Sequence, residues 1–178
     1  ATSGSDAMNR IAGSQAEVRI RDLRSRFVPL ASTVFAILLA LLPIVAAAPL
    51  VPDLGLLVLI AWRLLRPEIW AAPTALGLGL FNDLVTGSPI GQSMLLWTIL
   101  FLAFDLLDDR LGFRDYLMDW AIAALAIAGA GAGAWYIALL LGSGMVFSVM
   151  LPQIAISILA YPVVTRIVLS LDRWRLDR

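Results

Sequence analysis

An all-α membrane protein of six transmembrane helices is the fold class this sequence predicts, and three observations predict it. The 178 residues are 61% hydrophobic with a mean hydropathy of +0.90, more apolar surface than a soluble domain of this size can cover with polar groups. The charged residues stand in clusters separated by long uncharged stretches. Every cationic side chain is an arginine, and the arginines fall in alternate intervals between the apolar stretches.

Composition also removes whole classes of function. There is no cysteine, which excludes disulfides, thiolate zinc sites and iron–sulfur clusters. There is no histidine either, so the commonest general base and the commonest metal ligand are both missing. Thirteen arginines balance thirteen acids, and a neutral membrane-embedded chain offers no basic face for nucleic acid. Length alone points to one domain.

Residues 1–7 read as a leftover tag ahead of Met8 and are set aside. Residues 1–27 form a cytoplasmic N-terminal segment. Within it, 14–27 places Ile20, Leu23 and Phe27 near one face, with Arg19, Arg21, Arg24 and Arg26 around them. That pattern suits an interfacial helix on anionic lipid, and serves equally as a plain topology signal. The transmembrane domain covers 28–171 and a cytoplasmic tail covers 172–178.

The first span, at 28–48, lies in a stretch without charge. Pro49, Pro52 and Asp53 mark a tight turn. A short second span runs 54–65, with Arg63 expected to snorkel toward the surface. The third covers 69–85, Pro67 suiting its first turn. Ser88 and Pro89 are expected as N-cap and first residue of the fourth, which runs to 107. The fifth spans 120–141, the Gly142-Ser143-Gly144 turn follows, and the sixth spans 145–171, where Pro152 and Pro162 should break the helix and Gln153 should satisfy the carbonyls they free.

Arginine placement fixes the expected orientation. Arg10, Arg19, Arg21, Arg24 and Arg26 precede the first span; Arg63 and Arg66 lie between the second and third; Arg110 and Arg114 between the fourth and fifth; Arg166, Arg173, Arg175 and Arg178 end the chain. The turns at 49–53, 86–90 and 142–144 contain none. With six spans every arginine faces the cytoplasm, as the positive-inside rule requires, and both termini are cytoplasmic. Trp62, Trp70 and Trp120 then fall at the cytoplasmic interface, where an anchoring role is expected.

The third span ends in Gly79-Leu80-Phe81-Asn82-Asp83-Leu84-Val85-Thr86-Gly87-Ser88-Pro89-Ile90-Gly91. Gly79, Asp83 and Gly87 recur every four residues and share a face, so a neighbouring helix can approach closely there. An intramembrane carboxylate is a functional candidate by default. A structural role weighs more heavily: one turn below the next helix start, Asp83 can accept its free N–H groups. Pairing with Asp105 as a protease dyad is excluded, because their depths differ by about 15 Å. Ser143 has no histidine to activate it. Gly129 and Gly133 form a GxxxG pattern suited to close helix packing, internal or with a partner. No convergent polar cluster is visible; only Asn82, Asp83, Thr86, Ser88 and Gln92 gather near the outer surface, too few to decide for or against a ligand site.

The run from Pro52 to Trp62, then Pro67, then Gly79 through Gly91 resembles the MreD family, the small membrane subunit of the bacterial cell-elongation machinery. Residues 28–110 carry the likeness; Asn82 stands where the family pattern has an apolar residue. The resemblance implies a non-enzymatic inner-membrane scaffold with no cofactor, working with MreC, MreB filaments, RodA and its transpeptidase in side-wall peptidoglycan synthesis. It also implies a compact six-helix bundle similar to the substrate-binding subunits of energy-coupling-factor vitamin importers. Ala36 and Ala40 resemble the small-residue motif by which those subunits dock their membrane partner. A vitamin-type importer subunit is therefore the alternative function.

Overall fold

The computed structural model describes residues 27–42, 52–70, 72–108, 115–144 and 146–176. Among them the chain forms six helices: α1 (Phe27–Leu41), α2 (Leu54–Leu65), α3 (Ala72–Thr86), α4 (Gln92–Asp108), α5 (Tyr116–Leu140) and α6 (Leu151–Leu176). No strand occurs among the described residues. Two stretches, Tyr116–Leu140 and Phe147–Trp174, are long and apolar enough to cross a membrane. The basic segment holding Arg19, Arg21, Arg24 and Arg26 lies outside the described residues.

Local chemistry sets the helix ends. Asp53 is extended, and its side chain accepts from the Leu56 backbone N–H at 3.0 Å, capping α2. Arg66 precedes Pro67, whose ring forces it out of the helical region (φ −141°, ψ 74°), so α2 stops at Leu65. A single 3-10 turn, Pro67–Ile69, leads toward α3. Gly142 at φ 85° ends α5: its N–H donates to the Leu139 carbonyl while the Ser143 N–H reaches back to Ala138. Those two bonds make a Schellman close, which takes up carbonyls the helix leaves without donors.

Helix α2 is the axis of the bundle. Nine of its twelve residues are buried, and Leu57, Leu59, Ile60, Ala61 and Trp62 are wholly enclosed. A helix apolar on every side belongs inside others. Helices α5 and α6 pack on it, and α3 and α4 form an antiparallel hairpin. The outward faces are apolar too. Leu95, Ile99, Leu102 and Leu106 form one exposed stripe on α4, and Leu159, Val163 and Ile167 another on α6. Exposed patches of that extent mark contact with lipid or protein rather than water.

Several expectations need correction. Helix α4 starts at Gln92, so Ser88 and Pro89 belong to the preceding turn rather than to an N-cap. Helix α6 starts at Leu151, not near residue 145, and runs unbroken through Pro162. Pro152 sits in its first turn, where a missing N–H costs nothing. Proline at 162 denies the Ile158 carbonyl its usual donor. The Trp120 indole N–H donates to that carbonyl at 3.3 Å, which ties α5 to α6 and spares the helix a break. Trp62 and Trp70 are buried in the core instead of standing at an interface. Trp62 donates through its indole N–H to Ser32 Oγ on α1 at 2.8 Å. Arg63 does not snorkel; only 2% of its side chain is exposed.

Candidate functional site

Two polar regions sit at opposite ends of α2, and the helix directions determine which residues meet at each. At the C-terminal end, Arg63 reaches α4. Its Nη2 donates to Asp105 Oδ1, and its Nη1 lies 2.8 Å from Asp108 Oδ2, a charge contact off the hydrogen-bonding direction. The guanidinium also lies over the Phe101 ring, 5.8 Å from its centroid. Arg66 donates to Asp172 Oδ2 on α6 through Nη2 at 2.9 Å and Nε at 3.2 Å. One end of the bundle is thus a cluster of ion pairs joining α2, α4 and α6.

The other end is built around Asp83. Two positive-φ glycines, Gly87 at 70° and Gly91 at 96°, turn the chain from α3 into α4, a conformation that costs glycine alone nothing. Gly79 lets the hairpin close: a Cβ there would lie 2.6 Å from Met94 Cα and 2.7 Å from the Ser93 carbonyl oxygen. Asp83, 1% exposed, then faces the free N–H groups of α4. Its Oδ2 accepts from Gly91 at 2.9 Å and Met94 at 3.4 Å, and its Oδ1 accepts from Ser93 at 2.8 Å. A carboxylate on one helix supplies the cap that α4 lacks in its own sequence. Next to it, Asn82 donates through Nδ2 to Ser93 Oγ at 3.0 Å.

Beside this clasp lies a cavity of about 670 Å³. Its polar lining includes Asp53, Asn82, Gln92, Ser93, Gln153 and Ser157, set among apolar residues of α1, α4, α5 and α6. The expected lack of a polar cluster is therefore corrected: the start of α6 and the cap of α2 add the groups that a linear reading leaves apart. Burial in this wall pushes the Asp53 carboxyl above the usual aspartate value, and the nearby Asp83 charge adds to the shift against two backbone N–H bonds.

The other singled-out residues are placed as follows. Ala36 and Ala40 line the cavity from α1. Pro89 lies in the α3–α4 turn and its carbonyl accepts from Gln92 N at 3.0 Å. Gly133 packs on the Leu96 side chain, but a Cβ on Gly129 would meet nothing, so the GxxxG pair does not act as one internal face. Gly131, between them, packs on Ile154 of α6. Arg63, Asp53 and Trp120 are what sequence reasoning missed. A charge inside an apolar helix needs a partner, and two acids in the last turn of α4, against the helix dipole, were the sign of one.

Helices sheathed in leucine, isoleucine and valine, with their hydrogen-bonded polar groups turned inward, define an integral membrane protein. The chain belongs to the MreD family: the model described as rod shape-determining protein MreD matches residues 22–172. Its role is in rod-shape determination and is not catalytic. The match runs well beyond the residues that carried the resemblance, into α5 and α6. Comparisons with curated proteins and with solved structures each returned no match.

Proposed function

We propose that this chain is a six-span inner-membrane scaffold of the cell-elongation machinery, linking MreC, MreB filaments, RodA and its transpeptidase during side-wall peptidoglycan synthesis. The observation that carries the reading is the family match over residues 22–172. Both termini face the cytoplasm, with 14–27 as a basic segment facing anionic lipid, 28–171 as the membrane domain and 172–178 as a tail. The ion pairs support this orientation, since Arg63 and Arg66 meet Asp105, Asp108 and Asp172 at one end of the bundle. The outer turns are too short to build a domain, so partners meet helix faces and cytoplasmic loops. The exposed stripe of α4 and the open small-residue face at Gly129 are the elements such contacts would use.

Depletion in a rod-shaped host should round the cells without stopping lipid II synthesis, and MreC should copurify with the tagged chain. A vitamin-sized ligand copurifying with a transporter ATPase, with cell shape unchanged, would replace this reading with the importer. The proposed similarity of the bundle to importer subunits concerns fold and does not depend on that result.

A further inference from the structure

We infer that the cavity between the start of α2, the α3–α4 turn and the start of α6 binds a molecule carrying a primary ammonium group. At about 670 Å³ it has the size of a small-molecule site. Its walls are mainly apolar, with a few polar groups converging from four helix ends, the usual composition of a pocket that orients one ligand.

Charge chooses the ligand. Asp53 is in the wall, and Asp83 stands behind it in the clasp. Among the described residues the arginines of α2 and its exit, Arg63 and Arg66, are at the far end of that helix, and Arg166 and Arg173 belong to the far half of α6. Among the described residues no cation lines the cavity. A carboxylate only accepts hydrogen bonds, so the occupant must donate. A phosphate or diphosphate head with no ammonium of its own would meet Asp53 with no cation to offset the repulsion, which excludes anionic lipids and lipid-linked sugar diphosphates as occupants. A quaternary ammonium calls for a cage of aromatic rings, and Trp97 is the one aromatic residue in the lining. Amide and hydroxyl oxygens of Asn82, Gln92, Ser93 and Ser157 suit N–H donors instead. The inference is independent of the elongation role.

Two sources share this chemistry: the headgroup of phosphatidylethanolamine and a free amine from solution. Native mass spectrometry of the purified full chain, offered phosphatidylethanolamine or phosphatidylglycerol, tests the site. The wild-type chain should retain the ethanolamine lipid about tenfold better. Asp53→Asn and Asp53→Ser should each abolish that preference, while keeping a side chain able to cap α2 and hence the fold. Added ethanolamine that displaces the lipid identifies the headgroup as ligand. Ethanolamine that raises the melting temperature with no lipid retained identifies a soluble amine. Equal retention of both lipids with no response to ethanolamine overturns the proposal, as does an unchanged preference in a folded Asp53 variant. If both variants fail to fold, the wild-type preference and the ethanolamine response decide it alone.

Discussion

At the scale of single residues, Asp83 and Asp53 are two aspartates at one end of the bundle, each accepting from backbone N–H groups at a helix start. Asp83 meets three N–H donors with two oxygens. Asparagine keeps the shape and one acceptor, so Asp83→Asn should lower stability by about 1–2 kcal/mol and leave most function intact. Asp83→Leu leaves the donors of α4 unpaired, and the protein should accumulate poorly and lose its complex. Membrane abundance measured beside cell shape separates the cases: Asp83→Asn at full abundance with round cells would show that the carboxylate does more than hold two helices.

Asp53 carries a prediction with pH. Its carboxyl is raised above the ordinary 3.8, first by burial. A raised carboxyl means that the folded protein holds the proton more tightly than the unfolded chain. Stability should therefore fall as pH rises from about the unfolded value through the folded one, and level off above it. Asp83 is the other carboxylate that faces it; the lining from α1, α4, α5 and α6 carries no titratable group. In thermal melts across this range the wild type should lose stability relative to Asp53→Asn, since every other carboxyl is common to both. The cap itself was legible in the sequence, since an aspartate after Pro52 and before an apolar run is a standard helix start. Its place in a cavity wall was not, because Asn82 and Gln153 reach that wall from distant parts of the chain.

At the scale of elements, the helices were legible because length without charge is a strong signal, and their ends were less so. Ser88 and Pro89 look like a helix start, yet the true cap comes from Asp83 on another helix, which no local pattern can reveal. Pro162 looks like a break for the same reason: the repair comes from α5. The Trp120 bond to the Ile158 carbonyl can be measured as a coupling. Trp120→Phe should cost about 1–2 kcal/mol while Pro162 is present, because the carbonyl is left without a donor. With Pro162→Ala, residue 162 donates to that carbonyl itself, and the same substitution should cost less. A double-mutant cycle in melting free energy checks this, and additive losses would mean the indole does not stand in for the N–H that Pro162 lacks.

At the scale of the molecule, alternation of arginine predicted which ends gather together, and the ion pairs of α2 with α4 and α6 follow the same division. A cytoplasm-dependent reporter should be active after Arg178 and near Arg114, and silent at Ser143. Activity at Ser143 would remove the six-span arrangement. What the sequence left hidden was depth: Trp62 and Trp70 suit an interface by type, and the packing around α2 draws them inside.

The shortness and enclosure of α2 bear on how the protein is made. Twelve residues reach about 18 Å, short of the roughly 30 Å hydrocarbon layer, and one of them is a buried arginine whose counter-charges arrive more than forty residues later. Alone in lipid, this segment would leave the guanidinium unpaired and its helix ends without water. We expect it to sit stably in the bilayer only once α4 has been made. Chains truncated before Gln92 should therefore be extracted from membranes more readily than chains truncated after Asp108, and equal extraction would sink the idea.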